Sequence, residues 1–199
     1  MGMTGIRPAE LMGLQWKKID LNNGLLEITA QIVQDKESKE LVLTDILKTD
    51  SSYRTITIPK TLIEALRSHK KVTRYNKPNS FVITTREGTE SSPSTLRTMF
   101  NKYLFKLRNT QKINLIKEGY SPDEVEEVII KKIPLYNLRH THATILFNNN
   151  ENIKVISERL GHRSIKTTMD TYAQVMPKSK SKTADLLDEL MGKAGTDGE

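Results

Sequence analysis

Residues 138–172 read LRHTHATILFNNNENIKVISERLGHRSIKTTMDTY, and this stretch decides how the chain is understood. It holds Arg139 in an Asn-Leu-Arg-His-Thr run, His162 in a Leu-Gly-His tripeptide, and Tyr172 ten residues after that histidine. Ile153, Val155, Ile156 and Leu160 recur at helical spacing, and Gly161 follows where a glycine stops a helix. Ser164 stands where a second helix needs an N-cap, ahead of Ile165, Met169 and Tyr172. The pattern predicts helices over 138–147, 152–160 and 164–173, with His162 in the tight turn between the last two. A turn histidine, a helix arginine and a helix tyrosine meet only if the rest of the chain holds them together.

Upstream, short helical and extended pieces alternate. Residues 7–17 read as a short helix, with Pro8 tolerated in its first turn. Asn22-Asn23-Gly24 signals a turn, and 25–33 is a strand candidate with Leu26, Ile28 and Ile32 on one face. The charged run DKESKE at 35–40 makes a loop or hairpin tip. Residues 41–47 form a second strand, and 54–58 a third that alternates Thr55, Ile56, Thr57, Ile58 until Pro59 ends it. Three short strands joined by polar tips predict one small antiparallel sheet. Helices are expected over 61–75 and 93–108, with a short extended piece at 81–83 between them. Residues 109–133 are longer and more charged than a connection needs, and Ser121-Pro122-Asp123-Glu124 starts a helix there, so the segment reads as an insertion. After Pro177 a basic run, KSKSK, leads into an amphipathic helix over 184–191. The expected fold class is α+β, a mostly helical domain with a small three-stranded antiparallel sheet.

With 199 residues the chain can build one domain with a substantial core. No apolar run approaches the roughly 18 residues of a membrane span, and the first residues lack a signal-peptide pattern. Met1-Gly2 fits a myristoylation start only as far as Ile6, which stands where Ser or Thr is needed. The lack of cysteine excludes disulfides and thiolate zinc sites. No two histidines stand with a carboxylate at metal-ligand spacing, so no metal and no cofactor is assigned. A soluble cytoplasmic protein is expected. The formal net charge of +7 fits a polyanionic partner, chiefly nucleic acid, whose binding comes largely from counterion release. On charge alone, a basic protein without such a partner fits equally well.

Three motifs in order carry a resemblance. Thr4-Gly5-Ile6-Arg7-x-x-Glu10-Leu11, Lys48-Thr49-x-Ser51-Ser52-x-Arg54, and the set of Arg139, Leu160-Gly161-His162 and Tyr172 resemble the tyrosine recombinase (phage integrase) catalytic domain. The likeness is to integrases of Gram-positive phages and conjugative transposons above all, and it runs from about residue 4 to residue 190. It implies site-specific recombination of double-stranded DNA at attachment sites by four protomers on two synapsed duplexes. Accessory DNA-bending or excision factors are further partners that it suggests. In that family two helices and a DNA-clamping domain precede the first arginine motif. Here six residues precede Arg7, so the chain is expected to be a fragment, and the 184–191 helix is expected to dock on a neighbouring protomer.

The resemblance also assigns roles. Tyr172 would attack the scissile phosphate, leaving a 3′-phosphotyrosine and a free 5′-hydroxyl. An ordinary phenol is ionised to about one part in a thousand at pH 7, so a base or a strong positive potential must help. Arg7 and Arg139 would clamp the phosphate through their planar forks, although Arg7 could also pair with Glu10 one turn along. Lys48 would be the general acid for the leaving oxygen, and His162 would donate a hydrogen bond to the phosphate. The family's presumed proton acceptor is a histidine three residues before Arg139, where this chain has Tyr136. A tyrosine there can hydrogen-bond the phosphate or the nucleophile but is a poor base near neutrality. Either activity survives with the arginine clamp lowering the phenol's pKa, or turnover is reduced; retained activity is expected. His140 and His142 are expected to face the core or the surface. Two alternatives stay open: a non-catalytic helix-turn-helix DNA-binding protein, and a type IB topoisomerase with the same chemistry.

Overall fold

Local chemistry explains where the elements of the computed structural model begin and end; it describes residues 1–47 and 49–173. Helix α1 (Pro8–Met12) starts with a proline in its first turn, and the Glu10 carboxylate accepts the Arg7 backbone N–H at 2.9 Å. Strands β1 (Ile19–Asp20), β2 (Leu25–Ile28), β3 (Gln31–Gln34), β4 (Leu41–Thr44) and β5 (Arg54–Thr57) follow. The three-stranded antiparallel sheet is present, in the order β1-β2-β5, with Leu26 opposite Ile56. Its membership differs from the expectation. The 25–33 run breaks at Thr29-Ala30, and its second half pairs with β4 as a separate ribbon, Ile32 opposite Leu43. Leu26, Ile28 and Ile32 stay buried across the break because they keep the same parity. Side-chain alternation therefore could not reveal where the backbone partner changes.

Helices α2 (Lys60–Val72), α3 (Pro93–Lys117), α4 (Pro122–Val128), α5 (Asn137–Asn148), α6 (Ile153–Leu160) and α7 (Ile165–Tyr172) complete the described chain. Ser92 caps α3 by accepting the Thr95 N–H at 3.1 Å. The helix then runs past the expected end at 108 to Lys117, because neither glycine nor proline interrupts residues 109–117. The second half of the 109–133 segment holds α4, which opens on a Ser121/Glu124 capping box. Lys48 and the 184–191 helix lie outside the described residues. Among the described residues, no helix is long and apolar enough to cross a membrane.

Two apolar clusters form among the described residues. Ile6, Leu14, Trp16, Leu26, Ile28, Ile56 and Val82 make one around the sheet, and Ala143, Phe147, Ile156, Leu160 and Tyr172 make the other between α5, α6 and α7. A polar seam joins them. Arg54 on β5 donates to the Arg159 carbonyl at 2.8 Å, and Arg159 donates back to the Thr57 carbonyl at 2.7 Å. The candidate site lies along this seam.

Candidate active site

The last turn of α6 is the floor of the site. Gly161 adopts φ +66°, and the His162 and Gly161 N–H groups donate to the Ser157 and Glu158 carbonyls at 3.1 and 2.9 Å. This is the hydrogen-bond pattern of a Schellman ending, and the left-handed φ favours glycine. A Cβ on Gly161 would also meet the Arg54 guanidinium at 2.8 Å. The carbonyls of Leu160 and Gly161 lack helical partners, as at any helix C-terminus. Arg139 donates to Leu160 O at 2.6 Å and to the Gly5 carbonyl, and Arg7 donates to Gly161 O at 2.7 Å. Residues distant in sequence thus bring three arginines onto one helix end, where positive charge is favoured.

Glu10 balances that charge. It is 2% exposed and binds Arg7 at 2.7 Å and Arg54 at 2.8 Å. Burial alone would raise its pKa, but the hydrogen bond and charge of Arg54, then those of Arg7, hold it below the ordinary carboxylate value. Arg139 is 1% exposed, and its pKa is pulled down to about 10, first by burial and then by the charge of Arg7. It stays protonated at neutral pH. Arg7, with its side chain 27% exposed, is the more open of the two expected clamp residues.

Tyr172 ends α7 with its ring packed on Phe147, centroids 5.4 Å apart, and is 4% exposed. Its hydroxyl lies 3.1 Å from His140 Nδ1. Burial raises the phenol's pKa, and the opposing charge of Arg139 does not reverse the shift. The expectation that the arginines lower it is therefore corrected: desolvation outweighs the positive potential. Tyr136 is 43% exposed and packs edge-on against His140, centroids 5.1 Å apart.

His162 is half-buried beside the arginines, with Nδ1 at 2.7 Å from the fully buried Thr168 hydroxyl. His142 reaches the Gly2 carbonyl through Nδ1 at 2.9 Å, and its Nε2 accepts from Arg159 at 3.0 Å. Both are pushed down to about 4, by burial first, then by the charge of Arg159 for His142 and of Arg139 for His162. Both are neutral at pH 7. The unfolded chain binds protons on these residues near pH 6.5 while the folded chain refuses them until about 4. Their contribution to stability is therefore complete above 6.5 and is lost as the pH falls towards 4. Melting temperatures recorded across that window should drop steadily; a level profile contradicts the assignment.

Of the residues singled out in the sequence, Arg7, Arg139, His162 and Tyr172 gather around the 160–162 turn, and Tyr136 sits beside His140. Lys48 lies outside the described residues. Glu10 and Arg54 belong to the motifs; here Glu10 is the charge partner of Arg7 and Arg54, and Arg54 braces the end of α6 through the Arg159 carbonyl. The sequence placed His140 in the core or at the surface and gave it no role. The signal was its position four residues after Tyr136, which puts both on one helix face. Helices α6 and α7 do form a helix–turn–helix, but arginines occupy the carbonyls of its turn.

A family model described as the phage integrase family matches residues 1–179. A XerC-like tyrosine recombinase of Caldanaerobacter subterraneus subsp. tengcongensis is 30% identical, over 94% of this chain and 47% of its own length. The ICEBs1 integrase of Bacillus subtilis is 30% identical, over 95% of this chain and 47% of its own length. The chain thus spans about half the length of the curated relatives it matches. Among solved structures, the Tn1549 transposon integrase in complex with transposon right end DNA superposes with a TM-score of 0.71 at 21% identity, covering 96% of this chain and 56% of that one. The XerA recombinase superposes at 0.56 and 21% identity, covering 89% and 54%. These likenesses show the fold.

Proposed function

The chain belongs to the phage integrase family, and from that premise we propose that it cuts and rejoins DNA at specific sites through a 3′-phosphotyrosine intermediate. One observation carries the reading: Arg7 and Arg139 converge on the helix end that leads into His162, and the Tyr172 hydroxyl lies against His140, the residue after Arg139. Each guanidinium has more N–H donors than its contacts with the chain use, leaving some for phosphate oxygens. Charge developing on a pentavalent phosphorane would meet two fixed cations, where one well-placed donor is typically worth about 3–4 kcal/mol of barrier.

Tyr172 would attack phosphorus while the 5′-oxygen leaves with a proton from an acid, the role proposed for Lys48. The bond energy stays in the phosphotyrosine, so rejoining needs no ATP. Because Tyr172 is buried, DNA engagement must draw the phenol away from Phe147 or admit the phosphate to it. Strand exchange would take four protomers on two duplexes, with accessory DNA-bending or excision factors. A type IB topoisomerase would relax supercoils without exchanging partners.

His162 would hydrogen-bond the phosphate as a neutral imidazole. If the Thr168 hydroxyl donates to Nδ1, the ring hydrogen is on Nε2, where a phosphate oxygen can accept it. Thr168→Val keeps the shape and removes that donor. Cleavage should slow roughly five- to tenfold, the equivalent of about 1 kcal/mol, with duplex binding unchanged. An unchanged cleavage rate would show that Thr168 does not orient the ring.

The test of the function is a nicked suicide duplex spanning the attachment junction of the element that carries the coding sequence. An SDS-resistant, protease-sensitive adduct with a free 5′-hydroxyl on the released strand supports the reading. Binding without any adduct contradicts it.

A further inference from the structure

Removing the Tyr172 proton is a harder task here than for a solvated phenol, because burial disfavours the phenolate. Tyr136 is itself a phenol and is no stronger a base than the group it would deprotonate. Glu10, the carboxylate nearest the clamp, is committed to Arg7 and Arg54. The group in contact with the Tyr172 hydroxyl is His140 Nδ1 at 3.1 Å, within the reach a general base needs.

The geometry points to His140 as the catalytic residue that takes the Tyr172 proton, with Tyr136 as a positioning residue that holds the imidazole by edge-on packing. The inference rests on the proposed cleavage reaction and adds the missing acceptor to it. In the forward step the Tyr172 O–H bond breaks and its proton passes to His140 Nδ1. The oxygen forms a bond to phosphorus, the bond from phosphorus to the 5′-oxygen breaks, and that oxygen takes a proton from the general acid. Rejoining runs each transfer backwards, returning the proton to Tyr172.

Three features support this beyond the single distance. Tyr136, the N-cap of α5, stands one turn before His140, so the start of the helix sets the two rings edge-on, inclined at 66°. The His140 ring also faces the Tyr172 ring, centroids 5.7 Å apart, so both partners of the proton transfer are held by packing as well as by the hydrogen bond. Arg139, the residue before His140 on α5, is close enough for its charge to act on the Tyr172 phenol, so the clamp and the acceptor address the same hydroxyl. A phenol and phosphate brought to this turn would meet charge stabilisation and proton acceptance from adjacent residues.

The experiment compares single-turnover adduct formation by the full chain and its His140→Asn and His140→Ala variants on the suicide duplex. A second duplex carries sulfur in place of the scissile 5′-oxygen, since a thiolate leaves without being protonated. Asparagine can accept the same hydrogen bond through Oδ1 but cannot carry the proton. The expected result is duplex binding as in the parent, adduct formation slowed about 100-fold on both substrates, and partial recovery of His140→Ala by added imidazole. If His140→Asn cleaves as fast as the parent, or faster, His140 is a structural anchor or a latch and the proposal is overturned. Rescue of His140→Asn by the sulfur substrate overturns it as well, because that places His140 on the leaving-group side. Absence of adduct from the parent chain instead overturns the cleavage reading itself.

Discussion

Tyr172→Phe is expected to form no covalent adduct on the suicide duplex while binding that duplex as the parent does. The substitution removes one oxygen. The phenyl ring keeps its packing on Phe147 and its place among Ala143, Ile156 and Leu160. Only the hydroxyl's hydrogen bond to His140 goes, worth about 1 kcal/mol, so the fold persists. Chemistry has no such reserve. Without the oxygen there is no atom to attack phosphorus, and the loss should reach at least roughly 10⁴-fold, the scale on which nucleophile deletions act. Adduct yield in denaturing gels, beside mobility shifts on the same duplex, checks both halves. Residual adduct above a few per cent of the parent's would place the nucleophile elsewhere.

Glu10→Ala should have the largest effect on stability. Glu10 is 2% exposed and binds two arginines, of which Arg54 is itself largely buried. Truncating the carboxylate leaves those guanidinium groups crowded around Arg139 with nothing to offset them. Breaking a buried pair in this way costs about 3–5 kcal/mol, which for a domain of this size lowers the melting temperature by about 10 °C. Cleavage should fall too, since the clamp loses its geometry. Glu126 is the control: it is exposed, 3.8 Å from both Arg108 and Lys112, and Glu126→Ala should cost less than about 1 kcal/mol. Thermal and denaturant melts separate the two. A Glu10→Ala loss no larger than that of Glu126→Ala would mean that the arginines do not depend on the carboxylate.

What the sequence made legible followed from spacing. The α6–Gly161–α7 pattern carries its own caps, so the placement of His162 in a turn and Tyr172 at a helix end could be read directly from it. Local signals could not show which groups the turn would bind. The meeting of Arg7 and Arg139 with the carbonyls of Gly161 and Leu160 depends on packing two cores together, and no helical or strand period encodes it. The second ribbon was invisible for a related reason: Ile32 keeps the parity of Leu26 and Ile28 although its strand has changed partners. His140 was set aside as core or surface because its neighbour Arg139 dominated the motif. Its role depends on where the ring of Tyr172 lands, 32 residues later. The direction of the Tyr172 shift likewise depends on burial, which a sequence motif does not weigh against charge.

The decisive experiment on the nucleophile is to digest the trapped protein–DNA adduct and locate the attached nucleotide by mass spectrometry. The expected product is a nucleotide joined through its 3′-phosphate to the peptide containing Tyr172. Attachment to any other residue, or through a 5′-phosphate, would contradict the proposed chemistry.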